Sequence, residues 1–430
     1  MKKIRVAIIG VGSCAKSLVE GIQYYNEHPE DKVGLMYPDI GGYKSSDIQF
    51  VCGFDVDIRK VNHQLKDALR AKPNCSMDHV KEILDDGPTA CIEKGAMVYS
   101  GTLLDGVAPH MLDLPEDISF RIGAIPAEPF DRIVELLKYH KVDVVLNYLP
   151  VGSEKASAFY VDAVIKAGCH FVNCMPTFIG TEQAKILEQR FIDAGLTIIG
   201  SDMRSAYGAS RLSEVLQGSM LDSGLLVTQH IQLNMACGST QGQENIRIGR
   251  TANTDFLNMA EKERLYNKHV SKENVLKGQN IVRNESIAGM TMYAGPSLTV
   301  QQKPGGKYVG TDNKVCNIDI VAYGFAGARY ELTARLSVQD SPNSGGVVVS
   351  AIRFCKVASE MGIVGYLRGP SAWTQKTPPV QLSTNDAKFE CDALARRILT
   401  PLTEAQLSSK RPKAVDLLYT FQDNKTDYEL

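Results

Sequence analysis

This sequence of 430 residues is notable first for what it lacks. No apolar run reaches the roughly 18 residues that span a bilayer. Neither sign of charge dominates: 47 Lys and Arg stand against 49 Asp and Glu, a formal net charge of −2. That balance argues against a nucleic-acid partner or a membrane-surface protein. The ten cysteines contain no CxxC pair, so they read as reduced thiols in a cytoplasmic protein rather than as disulfides or zinc ligands. There is no HExxH and no helical pair of histidines. No protein-built transition-metal site can be read, and metal use stays unassigned. Internal repeats and low-complexity tracts are also missing.

The hydrophobic content of 44% and charged content of 22% are those of an ordinary globular chain. Its length can bury a large core and suits two domains. An anionic small molecule remains compatible with the charge balance, because one local cluster of cations is enough to hold it. The start, MKKIRVAIIGVG, superficially resembles a signal peptide. Its apolar part is too short, and it runs directly into a glycine turn and an amphipathic helix.

Ile4–Ile9 is a short β-branched apolar run, the pattern of a parallel strand buried on both faces. GVGSCA follows, and then Ala15, Leu18, Val19 and Ile22 at helical spacing. A second apolar strand, Ile48–Phe54, ends at Asp55. From about residue 130, helix DRIVELLKYH precedes strand VDVVLNY, the helix ending VDAVIKAG precedes HFVNC, and QAKILEQRFIDAG precedes LTIIG. Strands alternating with helices of this length predict an α/β protein with a doubly wound parallel sheet of Rossmann type. Right-handed crossovers then bring all the strand-to-helix turns to one edge. Beyond about 210, residues 224–234, 315–325 and 329–338 alternate partially, as in an antiparallel sheet with one wet face. A helical segment at 346–361 restores the first texture. The predicted organisation is therefore a cofactor-binding domain over 1–205, an inserted α+β domain over 206–340, a return to the first domain over 341–400, and a polar tail over 401–430.

GVGSCA has the GxGxxA form of a dinucleotide fingerprint, between a predicted strand and a predicted helix. Gly10 permits the tight turn, Gly12 lets the backbone approach a pyrophosphate, and the small Ala15 lets helix pack on strand. Ser13 and Cys14 open the helix beside them. Asp55, at the end of the second strand, is the natural partner of a ribose diol and favours NAD over NADP. It lies farther along than the usual ~20 residues, and the polar segment NEHPEDKVGLMYPDIGGYKSSD accounts for the extra length as an insertion. Asn147, Tyr148 and Leu149, Asn173, Met175 and Pro176, and Ser201 and Asp202 end later strands at the same edge. There ligands bind in such sheets, and Asp202 and Arg204 are expected near the nicotinamide.

Taken together, RVAIIGVGSCAKSLVEGI, FVCGFDVD, VDVVLNYLPVGSE, FVNCMP, NTDFLNM, YNKHVSKENV, DSPNSGGVVVSAIRFCKVA and SAWTQKTPP resemble the myo-inositol-phosphate synthases, in their shorter bacterial form. The resemblance runs from residue 3 to about 385. It implies cyclisation of D-glucose 6-phosphate to 1D-myo-inositol 3-phosphate with tightly held NAD and no net redox change, the first step toward inositol and inositol lipids. It also implies that the inserted domain is catalytic and builds a homotetramer. Oxidation at C5 acidifies the C6 protons, the enolate attacks the C1 aldehyde, and hydride returns to C5. Each transient oxyanion needs a cation or hydrogen-bond donor, and each proton transfer a tunable group. Lysine suits both tasks.

The matching motifs assign Lys268, Lys272 and Lys376 as catalytic lysines. Asn253 and Asp255, in NTDFLNM, match a substrate-site segment. Asp312 and Lys314, in TDNK, match a weaker Asp-x-Lys pattern near the substrate. Ser341 and Asn343, in DSPNS, either bind ligand or cap the following helix. The family usually shows Asp-Asp-x-Lys-Ser where this chain has Ser201–Ser205. Arg204 there can hold phosphate or an oxyanion but cannot act as a base. A mono- or divalent cation beside the nicotinamide is compatible with the carboxylate turn. The segment 235–252 expands a compact connection and is expected to act as a lid that orders on substrate binding. Three rivals stay open: a sister enzyme cyclising another sugar phosphate, an ordinary NAD-dependent biosynthetic dehydrogenase, and a silent NAD-binding regulator.

Overall fold

A computed structural model describes residues 3–72, 74, 76–107, 120–236, 288–293, 301–302, 308–309 and 312–398. Its principal sheet contains β1 (Ile4–Ile9), β2 (Ile48–Asp55), β3 (Val98–Ser100), β4 (Val144–Asn147), β5 (His170–Asn173), β6 (Thr197–Ile199) and β13 (Gly365–Tyr366). The order across it is β3-β2-β1-β4-β5-β6-β13, and every pairing is parallel. This is the doubly wound arrangement expected from the alternating pattern. The strand order reverses between β1 and β4, which opens a crevice at their carboxyl ends.

The β-branched run of β1 serves two cores at once. Ile4, Val6 and Ile8 face one layer, Ala7 and Ile9 the other, because successive side chains on a strand point to opposite faces. The first layer holds α1 (Ser13–Glu27) and the long α7 (Asp340–Glu360), which pack together. The second holds α3 (Phe130–Tyr139), α4 (Glu154–Ala167) and α5 (Thr181–Asp193). A short α2 (Leu65–Ala68) follows β2 and buries Leu65 and Ala68 in the first layer's core. Burial on both sides is why these strands carry continuous apolar runs rather than alternation.

Between β6 and β13 the chain builds a second sheet. Helix α6 (Ala209–Asp222) leads into β7 (Leu226–Ala236); β11 (Asn313–Tyr323) pairs antiparallel with β7, and β12 (Arg329–Gln339) pairs antiparallel with β11 on its other side. A fourth strand, β8 (Ala288–Tyr293), pairs parallel with β7, and β9 (Gln301–Gln302) and β10 (Tyr308–Val309) form a separate short ladder. Cys316, Ile318, Ile320 and Ala322 alternate along β11 and bury against Leu212, Leu216 and Met220 of α6. Asp319 on the opposite face is exposed. Helix α7 then carries the chain back to the first sheet. It is followed by α8 (Arg368–Thr374) and α9 (Thr384–Ala395).

The polar insertion before β2 is latched by a group that no sequence pattern marked. Arg353, wholly buried in α7, donates to the carbonyls of Tyr37 (2.8 Å), Tyr43 (3.2 Å) and Pro38 (3.3 Å). Burial lowers its pKa to about 10. Among the described residues no helix is long and apolar enough to cross a membrane.

Candidate active site

The glycine turn sits at the crevice. Gly10 has φ +87°, and a Cβ there would lie 2.6 Å from the Tyr148 carbonyl oxygen, so only glycine lets β1 turn against the β4 edge. A Cβ on Gly12 would meet no protein atom within 4 Å. The space above it is open, as close approach of a pyrophosphate requires. Helix α1 starts directly after Gly12, with no side-chain cap and no acid in its first turn. The positive end of its dipole therefore faces the turn, where it favours an anion.

Asp55 is buried at the rim of the same pocket, with Gly10, Gly12, Tyr148, Leu149 and Tyr160. One of its carboxylate oxygens accepts from Val11 N (2.8 Å) and the other from Val56 N (2.7 Å) and Asp57 N (3.0 Å). The carboxylate thus buttresses the turn while facing the pocket. Beneath it, Lys60 donates to the Val11 carbonyl at 2.7 Å. Nothing in the sequence around Lys60 marked it for this role. The residues present fit a dinucleotide.

Asn147, Asn173 and Ser201, expected at the cofactor, form a hydrogen-bonded row. Asn147 Nδ2 donates to Asn173 Oδ1 (2.9 Å), and Asn173 Nδ2 donates to Ser201 Oγ (2.9 Å). All three are buried, so the row ties the ends of β4, β5 and β6 together below the ligand edge. Asn173 Oδ1 also accepts from Met175 N at 3.3 Å, fixing the buried Met175–Pro176 turn.

A second cleft lies on the other side of the start of α1. Cys14, Asp202, Met203, Ser205, Arg211, Lys314, Asp340 and Lys376 are among the residues lining it. Residues 201–204 run antiparallel to the end of α8 and the turn after it, 374–377: Ser201 N donates to Thr377 O (3.0 Å), Lys376 N to Asp202 O (2.7 Å) and Arg204 N to Thr374 O (2.8 Å). Asp202 takes a left-handed φ of +61°, which Asp tolerates better than most residues. This zipper brings Lys376 Nζ to 2.8 Å from both Asp202 Oδ1 and the Met203 carbonyl. Both residues are buried, at 9% and 1% exposure. Across the cleft, Lys314 Nζ donates to Asp340 Oδ2 at 2.5 Å. Asp340 was overlooked in the sequence, although its place before Ser341 at the start of a helix was a usable signal.

Arg204 does not line the cleft that Met203 and Ser205 line. Its Nε donates to the Gln375 carbonyl (2.6 Å) and its Nη1 to Glu214, and both partners are buried. Asp312 is buried too. It accepts Ser341 N (2.9 Å) and Ser341 Oγ (2.7 Å), so it anchors the first turn of α7. Burial, with Asp340 nearby, pushes its pKa up to about 6. Asn343 clamps the loop before α6, accepting from Tyr207 N (2.9 Å) and donating to Tyr207 O (2.8 Å). Lys268, Lys272, Asn253, Asp255, most of the 235–252 segment and the tail 401–430 lie outside the described residues. Among the described residues no group of three His, Cys, Asp or Glu converges as a metal site.

An inositol-3-phosphate synthase of Mycolicibacterium smegmatis is 36% identical to this chain over 393 residues, covering 91% of the chain and 97% of the relative. The chain belongs to the inositol-3-phosphate synthase family. The family pattern described as myo-inositol-1-phosphate synthase matches residues 208–341, from the start of α6 to the first turn of α7. Among solved structures, Ari2 is similar at 27% identity with a TM-score of 0.64, covering 92% of this chain and 99% of that one. An inositol-3-phosphate synthase from Caenorhabditis elegans shares the fold at 12% identity, with a TM-score of 0.62 over 100% of this chain and 90% of that one. The resemblance read from the quoted motifs and the doubly wound sheet are thus both borne out.

Proposed function

We propose that this protein is an inositol-3-phosphate synthase that converts D-glucose 6-phosphate into 1D-myo-inositol 3-phosphate. Family membership supports the activity. The observation that carries it at the level of residues is the buried Lys376–Asp202 pair, which opens onto the same cleft as Cys14 of the dinucleotide turn. Bound NAD supplies reversible hydride exchange at C5 of the sugar, with no net redox change. Gly10, Gly12, Ser13, Cys14 and Ala15 hold its pyrophosphate end and Asp55 its ribose diol, with Tyr148 and Leu149 along the wall.

The chain's own residues perform the rest. Lys376 steadies the C5 oxygen as it takes negative charge, and its contact with Asp202 fixes the ammonium in place. Lys314, held by Asp340, serves the sugar from the opposite wall. Lys272 carries the proton transfer that Arg204 cannot, Lys268 supports it as a second lysine of the same motif, and Asn253 and Asp255 position the sugar hydroxyls. Asp312 and Ser341 act by setting the start of α7, and Arg204 by bracing the 201–205 turn. We take residues 206–340 to be the catalytic and assembly insertion within a cofactor domain made of 1–205 and 341–400. The active form is read as a cytoplasmic homotetramer, and a cation beside Asp202 remains part of the proposal.

The test is to incubate the NAD-loaded protein with glucose 6-phosphate, identify the product and follow NADH absorbance. An acid-stable inositol monophosphate without accumulating NADH is the expected result. Net NADH identifies a dehydrogenase, and a different cyclitol phosphate a sister enzyme; either overturns the proposal.

A further inference from the structure

We propose that Arg211 is the specificity-determining cation of this cleft and grips the phosphate of the sugar substrate from the first turn of α6. The inference rests on the activity proposed above and adds a residue that the family motifs did not single out.

Charge accounting around the cleft points to it. Lys376 faces Asp202 and Lys314 faces Asp340, so each lysine has a carboxylate of its own. Arg204 and Arg211 share one: Glu214 accepts from Arg204 with one oxygen and from Arg211 with the other, the latter at 3.1 Å. Two guanidiniums against one carboxylate leave a unit of positive charge among these described partners. Arg204 is turned away, onto Glu214 and the Gln375 carbonyl. Arg211 lines the cleft, so the excess is presented there.

The side chain is also held ready. Its guanidinium lies over the Trp373 ring at 4.1 Å, and only 12% of the side chain is exposed. Ring and carboxylate together fix the plane of the fork before a ligand arrives, which lowers the ordering cost of binding. A planar fork with several N–H donors matches a phosphate monoester, whose oxygens accept two parallel bonds. Burial works against the charge of Arg211, and a dianion entering the cleft would offset it. Gly208, Ala209 and Ser210 line the same wall at the uncapped start of α6, whose first turn holds no acid. In this chain the guanidinium at 204 has become a brace, and the phosphate-holding cation stands seven residues later on the helix.

The variants Arg211→Gln and Arg211→Lys, both NAD-loaded, test this with inorganic phosphate as the probe in calorimetry and glucose 6-phosphate in steady-state kinetics. For Arg211→Gln, the Kd for phosphate and the KM for glucose 6-phosphate should each rise roughly 10- to 100-fold, the loss of a charge-assisted pair. NAD affinity should hold and kcat change by less than about threefold, since uniform binding is what is removed. Arg211→Lys should fall between, because charge remains and the fork is lost. Should Arg211→Gln not fold, Arg211→Lys carries the test alone. Unchanged phosphate Kd and KM would overturn the proposal, and so would a matching fall in NAD affinity, which marks a structural role. If the wild-type protein does not cyclise glucose 6-phosphate yet loses phosphate binding on substitution, the activity has failed and the role of Arg211 stands.

Discussion

Replacing Lys376 by Met keeps the length of the side chain and removes its charge, which separates packing from electrostatics. The ammonium stands 2.8 Å from Asp202 Oδ1, in a site where both residues are buried. At an effective dielectric of about 20, two unit charges at that separation attract by about 6 kcal/mol before desolvation is subtracted. Breaking a buried pair by deleting one partner costs roughly 3–5 kcal/mol, because the remaining charge stays in a poor solvent. Lys376→Met should therefore lose about that much stability at pH 7 in urea unfolding followed by circular dichroism. The deserted Asp202 carboxylate then has a raised pKa in the folded state, so folding takes up a proton and the deficit shrinks as pH falls toward 5. The double variant Lys376→Met, Asp202→Asn carries no unpaired charge and should recover most of the loss. Cyclisation should not recover with it: both variants should fall by at least about 100-fold, the lower end of what losing one donor to a developing oxyanion costs. A single variant as stable as wild type would show that the pair carries no such energy. Renewed cyclisation in the double variant would remove Lys376 from the chemistry.

Three further outcomes are expected. Gly12→Val should cost the NAD-free protein no more than about 1–2 kcal/mol, since its Cβ meets no protein atom within 4 Å and what is lost is the helix-start preference for glycine, yet abolish NAD binding in a fluorescence titration. Retained NAD affinity would show that the pyrophosphate lies elsewhere. His230, buried between α6 and β7 against Ser213 and Gln217, has its pKa lowered to about 4 by burial. The unfolded chain takes up its proton near pH 6.5, so this stabilisation is complete above that pH and declines as pH falls toward 4. Its total is about 3 kcal/mol, and His230→Gln should flatten that part of the stability–pH curve. Finally, Arg353→Met leaves the three carbonyls of the Tyr37–Tyr43 loop without their shared donor. It should cost roughly 2–4 kcal/mol and speed proteolysis there before the rest of the chain; an unaltered cleavage pattern would count against the latch.

Much of the molecule was legible because it is local. The apolar runs of β1, β2, β4, β5 and β6, the glycine turn, and the change to partial alternation near residue 210 each follow from side-chain periodicity within a few neighbours. The same reasoning could not find β13, two residues long, whose pairing with β6 depends on where α7 delivers the chain. Nor could it separate ligand contact from scaffolding among polar residues at one sheet edge. Asn147, Asn173 and Ser201 satisfy one another there, while Tyr148 and Leu149 reach the pocket.

By itself, then, the sequence determined the main parallel strands β1, β2, β4, β5 and β6 with their intervening helices, and the dinucleotide turn, since these depend on torsional preference and on burial repeated at a fixed period. Tertiary structure alone decided which charges meet. Lys376 and Asp202 are 174 residues apart, yet the zipper between 201–204 and 374–377 joins them. Glu214 draws Arg204 out of the cleft and leaves Arg211 at its wall. A buried charge takes whichever counter-charge the packed fold places within reach, and no spacing along the chain records that distance.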